Sequence, residues 1–176
     1  MKIRIVTDSG SDLSDEEASN LGILIVPLSI RFGEEELIDR VELGADEFYN
    51  RMHNSEDVPQ TAAPSPGAFK TVFEECFEQG AESVICINMS SDLSATIQAA
   101  ETGARELDGK DIRIFDSKSV TGGLGTMVLE AAKASKDNRS VDEILTLLDD
   151  LRSKTRVYAA IDTLENLKKG GRIGNA

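Results

Sequence analysis

The sequence has little of the chemistry on which most metal and redox sites depend. Among its 176 residues are two cysteines, one histidine and no tryptophan. Cys76 and Cys86 both lie inside apolar stretches, so neither a disulfide framework nor a Cys/His zinc site is expected. Any histidine-dependent catalysis within the chain would depend on His53 alone, and a lone surface histidine more often has no such role. No metal site is therefore predicted.

Long apolar runs are also missing. No stretch approaches the roughly 18 consecutive apolar residues of a membrane helix. The N-terminal residues Met1–Asp8 have the pattern of a strand and lack the apolar core of a signal peptide. These features predict a cytoplasmic protein without stable membrane insertion.

Positive charge is scarce. The chain has 19 Lys and Arg against 32 Asp and Glu, a net charge of −13. Sequence-independent nucleic-acid binding and docking on anionic membranes both need a basic surface, so neither partner is expected. Hydrophobic residues make up 40% of the chain, which is ordinary for a globular protein able to bury a core.

Apolar periodicity predicts strands that alternate with helices. Four short apolar runs are typical of strands: Ile3–Val6, Val84–Ile87, Ile112–Phe115 and Val157–Ile161. Helical patterns cover Ala45–Met52, Phe69–Phe77, Leu93–Leu107, Leu124–Ala134 and Val141–Leu151, with one more segment from about Leu164. Such alternation predicts βαβ crossovers and an α/β fold with a mostly parallel sheet.

Local signals mark where several elements begin and end. Ser14 with Glu17 and Ser140 with Glu143 have the spacing of capping boxes, while Ser65 precedes Pro66 as an N-cap would. Pro27 divides the apolar region Ile23–Phe32, which favours an edge position. The proline-rich stretch Asn54–Pro66 predicts a long loop that serves as a lid or binding loop.

Polar residues follow each predicted strand. The segments are Thr7–Asp12, Asn88–Ser94, Asp116–Ser119 and Asp162–Thr163. Ligands of open parallel sheets bind beyond the carboxyl ends of the strands, so these segments form the candidate site. They are rich in hydroxyls and carboxylates and contain no His, Cys or Arg, which predicts a hydrogen-bonding cradle.

Two features of this edge have alternative interpretations. Ser90, Ser91, Ser94 and Thr96 stand at the start of a predicted helix, where free amides and the helix dipole favour a phosphate or carboxylate. Capping of the helix explains one or two of these hydroxyls equally well. Asp8 and Asp116 could serve a Mg²⁺-dependent phosphotransferase, but Gly10 stands where an Asp-x-Asp motif needs its second acid, and turn or cap roles explain both.

Glycines and basic residues supply two further candidate features. Gly122–Gly125 lacks the spacing of a dinucleotide-binding loop, and close packing or room for a ligand beside a helix explains it better. Lys168–Arg172 is a local basic cluster in an acidic chain. It suits a helix C-terminus, and its arginine suits contact with a phosphate or an acidic partner. The chain then stops abruptly at Ala176, as a truncated chain would.

Seven short motifs follow one another along the chain: Thr7–Leu13, Val26–Leu28, Gln60–Pro66, Ser90–Ala100, Asp116–Ser117, Gly122–Gly125 and Leu167–Ile173. Together they resemble the DegV family of bacterial fatty-acid-binding proteins. The motifs match in order and spacing along the whole chain, which makes the resemblance specific.

The resemblance implies a two-lobed α/β protein. Residues 1–154 would form a Rossmann-like, mostly parallel sheet with helices on both faces. Residues 155–176 would begin a C-terminal lobe that is otherwise absent. A long-chain fatty acid would lie between the lobes and be presented to a fatty acid kinase, with no catalysis by the protein and no cofactor.

The resemblance also assigns roles to individual residues. It makes Thr61 and Ser94 the ligands of the fatty-acid carboxylate, with Ser91 and Thr96 nearby, and Arg172 the kinase contact. Further candidates for the lining of the pocket are Asp8, Ser9, Asp116, Gly122 and Gly123. The sequence departs from the family pattern at Ala62 and Ala63, where the family has Ser and Gln, and at Ala95, where it has Gly.

Overall fold

A computed structural model describes residues 2–54 and 58–171, except for the side chains of residues 165 and 166. The strands are β1 (Ile3–Asp8), β2 (Leu24–Val26), β3 (Ser29–Phe32), β4 (Glu35–Ile38), β5 (Gln60–Ala62), β6 (Ser83–Asn88) and β7 (Asp111–Asp116). The helices are α1 (Asp15–Leu21), α2 (Ala45–Asn54), α3 (Pro66–Glu78), α4 (Thr96–Arg105), α5 (Thr121–Lys136), α6 (Val141–Lys154) and α7 (Glu165–Lys169).

The larger sheet has four parallel strands in the order β2-β1-β6-β7. This confirms the predicted parallel sheet. In its register Val6 lies opposite Cys86, and Asn88 lies opposite Asp116. Pro27 directly follows β2, and β2 is an edge strand, as expected. A proline has no amide hydrogen to donate to a neighbouring strand, so it is tolerated at an edge.

Apolar side chains alternate along the central strands and form a core on each face of the sheet. Ile85 and Ile87 face α5 and α6, where Leu124 and Ile144 are fully buried. Val84 and Cys86 face α3 and α4, where Phe69, Phe73, Cys76 and Ala100 are fully buried. Each fully buried large apolar side chain contributes about 1.5–3 kcal/mol, so helices are stabilised on both faces.

The predicted helix starts are found where side-chain caps specify them. Ser14 and Ser140 each accept a hydrogen bond from the amide three residues on, and Glu17 and Glu143 complete the two capping boxes. Ser65 accepts a hydrogen bond from the Ala68 amide at the start of α3. These contacts satisfy amide donors that the first helical turn leaves free.

The sequence analysis did not predict the second sheet. β3 lies between β4 and β5 in an antiparallel, three-stranded sheet. β5 falls inside the stretch expected to be one long loop, and it places Thr61 opposite Ile30. Residues 55–57 of that stretch lie outside the described residues.

The prediction of a strand at Val157–Ile161 was wrong. This segment has irregular backbone, and the exposed fractions of Val157, Tyr158 and Ile161 are 48%, 90% and 49%. A strand needs hydrogen bonds from a neighbouring strand, and none of the described strands pairs with this segment. The helical segment predicted from about Leu164 is confirmed as α7.

The helix expected from Leu93 begins at Thr96 instead. The amides of Leu93 and Ser94 both donate to the Ser90 carbonyl, so residues 90–95 form turns before the helix starts. This shift leaves the serines of the segment in a loop at the sheet edge, next to the helix rather than in its first turn.

Candidate functional site

Three of the four predicted polar segments meet at the carboxyl edge of the parallel sheet. The Ser90 amide donates to the Ser119 carbonyl at 2.8 Å, and the Ser117 amide donates to the Asn88 carbonyl at 3.1 Å. The Thr7 hydroxyl donates to the Ile87 carbonyl at 2.8 Å. The segment Asp162–Thr163 does not follow a strand, so the structure does not bring it to this edge in the way the sequence predicted.

Asp8 ends β1 and is a structural acceptor. Its side chain has no exposed surface. One oxygen accepts from the Gly10 amide at 3.0 Å, and the other accepts from Asn88 Nδ2 at 3.1 Å and from the Met89 amide at 2.9 Å. Burial raises the pKa of the Asp8 carboxyl, although these three donors oppose the shift. Asp8 therefore joins β1 to the loop after β6, and neither of its oxygens is open to a substrate or metal.

Asp116 ends β7 and belongs to a charged cluster with Lys118. The Asp116 Oδ1 atom accepts from the amides of Lys118 at 3.0 Å and Ser91 at 3.3 Å. The Lys118 ammonium lies 3.2 Å from Asp116 Oδ2 and donates to Ser91 Oγ at 2.7 Å. Burial opposes ionisation of Asp116, but hydrogen bonds from Ser91 and Lys118 outweigh it and lower the pKa of the carboxyl. The charged Asp116 side chain therefore joins the loop after β6 to the loop after β7.

Ser94 and Thr96 form a pair of hydroxyls where α4 begins. Their Oγ and Oγ1 atoms are 2.8 Å apart, and Ser94 Oγ also accepts from the Thr96 amide at 3.3 Å. Thr96 is fully buried and Ser94 is partly exposed. The N-cap residue of α4 is Ala95, which has no side chain able to cap the helix. One hydroxyl therefore satisfies an amide at the start of α4, and the pair lies next to the positive end of the helix.

Thr61 is on β5 of the second sheet. It is exposed and lines a cavity of about 540 Å³ together with Val58 and Leu167. It also borders a smaller cavity of about 110 Å³ beside Arg31. Neither cavity includes Ser94. Of the two residues that the resemblance assigned to one carboxylate, Thr61 is thus on the second sheet and Ser94 is in the loop between β6 and α4.

Ser9 and the two glycines mainly organise the backbone around the edge. Ser9 is buried, and its Oγ accepts from the Leu28 amide at 3.1 Å. A Cβ on Gly123 would clash with the side chains of Ser119 and Val157, so both would have to move to accept a larger residue there. Gly122 has open space around it, which leaves room for a ligand at the start of α5.

Arg172, predicted as the kinase contact, lies outside the described residues. Within residues 2–54 and 58–171, no three His, Cys, Asp or Glu side chains are grouped to hold a metal ion. Among the helices of that same part of the chain, none is both long and apolar enough to cross a bilayer. His53 contacts the Tyr49 carbonyl through Nδ1 at 2.7 Å on the exposed surface of α2.

The role of Lys118 is the main feature that the sequence analysis missed. Lys118 was visible in the segment after β7, but its contact with Ser91 depends on the neighbouring positions of β6 and β7. Its backbone φ of 50° is also unusual for a lysine. The signal that could have identified it is a positive charge within a polar segment at a strand end.

Comparisons with known proteins agree with this architecture. The family model named DegV, for uncharacterised proteins of that family, matches residues 2–176. A DegV domain-containing protein of Halalkalibacterium halodurans is 36% identical over 175 residues, which cover 99% of this chain and 62% of the relative. A similar protein of Listeria monocytogenes is 34% identical over the same length.

Solved structures give the same result. A DegV family protein from Thermus thermophilus, described by its fatty acid binding, has a TM-score of 0.91 and 35% identity, and the match covers 99% of this chain and 61% of that one. DegV from Bacillus subtilis, described as a fatty acid binding protein, has a TM-score of 0.92 and 30% identity over 97% of this chain and 61% of that one. The present chain therefore spans about three fifths of the length of these relatives, and it belongs to the DegV family.

Proposed function

We propose that the protein is a carrier that binds a long-chain fatty acid by its carboxylate and presents it to a fatty acid kinase. The observation that supports this most is the pair of hydroxyls of Ser94 and Thr96 beside the start of α4. The descriptions of the Thermus and Bacillus relatives as fatty-acid-binding proteins give the ligand class.

The hydrogen bonds of the pair suit a carboxylate. Ser94 Oγ already accepts from the Thr96 amide. When the Thr96 hydroxyl also donates to Ser94, the Ser94 proton remains free to donate to a ligand. A carboxylate accepts such hydrogen bonds strongly, and the positive end of the α4 dipole favours its charge. Ser94 is therefore the proposed ligand, and Thr96 and Ser91 support it.

Thr61 is the proposed second hydroxyl of the binding site. Its cavity is bordered by the apolar side chains of Val58 and Leu167, which suit the part of an acyl chain next to its head group. Ala62 and Ala63 offer no hydroxyl or amide side chain beside it, so fewer polar contacts to the head group would come from β5.

The division into lobes is also a proposal. Residues 1–154 contain both sheets and end with α6, whereas the residues that follow are largely exposed. The large apolar side chains that are exposed within residues 155–171 are Val157, Tyr158, Ile161, Leu164 and Leu167. We propose that residues 155–176 begin the second lobe of the family, which would cover these side chains and the acyl chain. Arg172, in this segment, remains the proposed kinase contact.

The experiment is a comparison of Ser94→Ala with Ser153→Ala. Ser153 is an exposed serine in the last turn of α6, and its hydroxyl donates to the Asp150 carbonyl at 2.8 Å. Palmitate binding should weaken by about 1–3 kcal/mol in Ser94→Ala, because a buried carboxylate would lose a hydrogen bond. Ser153→Ala should bind as the wild type does. Equal palmitate affinity in all three proteins would overturn the assignment of Ser94.

A further inference from the structure

Lys118 is the only cation in the three segments that meet at the carboxyl edge of the parallel sheet, which are Thr7–Asp12, Asn88–Ser94 and Asp116–Ser119. Its ammonium lies 3.2 Å from a carboxylate oxygen of Asp92 and 3.2 Å from one of Asp116. It also donates to Ser91 Oγ at 2.7 Å. One positive charge therefore lies between two negative charges, and the cluster has a net charge of −1.

The cluster adjoins the proposed carboxylate site through a single loop. Asp92 is two residues before Ser94, and Ser90 contacts both of them. The Asp92 amide donates to Ser90 Oγ, and the Ser94 amide donates to the Ser90 carbonyl. Without the ammonium, the carboxylates of Asp92 and Asp116 would lose their ion pairs with Lys118 beside a site that must accept a third carboxylate. The Arg152 guanidinium, which donates to the Asp116 carbonyl at 2.9 Å, would offset only part of this charge. The carboxylates of Asp92 and Asp116 would repel the carboxylate of the ligand. The partly buried surroundings of Asp116 weaken the screening of this repulsion by solvent.

Backbone hydrogen bonds hold together the two loops that carry Lys118 and Ser91, in addition to the ion pairs of the ammonium. The Lys118 amide donates to Asp116 Oδ1, which also accepts from the Ser91 amide. Hydrogen bonds to Asp92 and Asp116 raise the pKa of Lys118, so it is charged at neutral pH. Because the amide contacts do not involve the side chain, removal of the ammonium should leave both loops in place.

We infer that Lys118 determines the head-group selectivity of the proposed site, since its charge offsets Asp92 and Asp116 and so allows a carboxylate to bind beside Ser94. Lys118 acts through the local electrostatic potential and need not touch the ligand. This inference rests on the proposed function. It adds a residue that favours an ionised head group over an uncharged one with the same acyl chain.

The test compares palmitate with hexadecanol, which has a similar chain and no charge. Kd for both ligands would be measured in the wild type, Lys118→Met, Asp92→Asn and the Lys118→Met/Asp92→Asn double variant. Lys133→Met is the matched control, because Lys133 is an exposed lysine of α5 that is paired with Glu130. Lys118→Met should weaken palmitate binding on the order of fivefold and leave hexadecanol binding unchanged.

The double variant separates charge from structure. Asp92→Asn removes one carboxylate, so the double variant returns the cluster to a net charge of −1 and should recover most of the palmitate affinity. A parallel loss of both ligands in Lys118→Met would mean that the lysine is only structural, and an unchanged ratio of the two Kd values would also overturn the inference. A wild-type chain that binds neither ligand would instead overturn the proposed function, together with this inference.

Discussion

Two aspartates, at the ends of the strands β1 and β7 on either side of β6, have opposite electrostatic surroundings. Asp8 is fully buried and receives hydrogen bonds only from neutral groups, and burial raises its pKa. Asp116 is partly exposed, and its contacts with Ser91 and Lys118 lower its pKa despite burial. The sequence predicted turn or cap roles for both residues as one alternative to a phosphotransferase site. It could not separate the two aspartates, because their partners come from another strand.

Replacement of Asp8 by asparagine should change both the stability of the protein and its dependence on pH. The asparagine should destabilise the fold by about 1–3 kcal/mol at neutral pH, since it replaces an acceptor with an amide donor facing the Met89 and Asn88 donors. A carboxyl whose pKa is raised by folding binds its proton more tightly in the folded state. The wild type therefore gains stability relative to the variant as the pH falls from 7 through the raised pKa of Asp8 toward 3.8.

Urea unfolding of both proteins at several pH values between 7 and 4 checks this. The difference in the free energy of unfolding should widen as the pH falls. If the difference narrows instead, the three hydrogen bonds to Asp8 dominate over burial, and its pKa is lowered by folding.

At the scale of elements, the sequence predicts what local signals determine. Capping boxes at Ser14 and Ser140 and apolar runs at β1, β6 and β7 were correctly interpreted because each signal lies within its own element. β4 and β5 were missed, since their side chains are mostly exposed and show no apolar alternation. At Val157–Ile161 the apolar run has no partner strand among the described residues, so composition alone misled the prediction.

The contact between α3 and α4 offers a prediction about packing. A Cβ on Gly103 would lie 2.5 Å from the Pro66 carbonyl oxygen and 3.1 Å from the Lys70 nitrogen, both backbone atoms of α3. Gly103→Ala should therefore push the two helices apart and destabilise the protein by about 1–3 kcal/mol. Thermal unfolding measures the loss.

Gly67→Ala is the control, since a Cβ there would meet only Ser65 Oγ at 3.8 Å. Alanine also has the better helix propensity, so this variant should be at least as stable as the wild type. Equal stability of Gly103→Ala and Gly67→Ala would mean that α3 and α4 do not pack this closely in solution.

At the scale of the whole molecule, five of the ten large apolar side chains that are exposed in the described part of the chain lie after α6. Residues 155–171 contain Val157, Tyr158, Ile161, Leu164 and Leu167, all more than a third exposed. The chain spans 62% of the first curated relative. The family could be predicted from the ordered sequence motifs, and the parallel sheet could be predicted from the apolar periodicity. The spatial relation between Thr61 and Ser94 could not, because it depends on how the two sheets are placed.

Native mass spectrometry can show whether this chain binds a fatty acid and whether it does so by the carboxylate. The 176-residue chain would be stripped of lipid, incubated with palmitate and measured beside the same chain incubated with hexadecane, which lacks a head group. One palmitate per chain and no hexadecane are expected, because the proposed carboxylate contact at Ser94 would distinguish the two ligands. A chain that remains bare with palmitate, or that takes up hexadecane equally well, would mean that it does not bind fatty acids by their carboxylate.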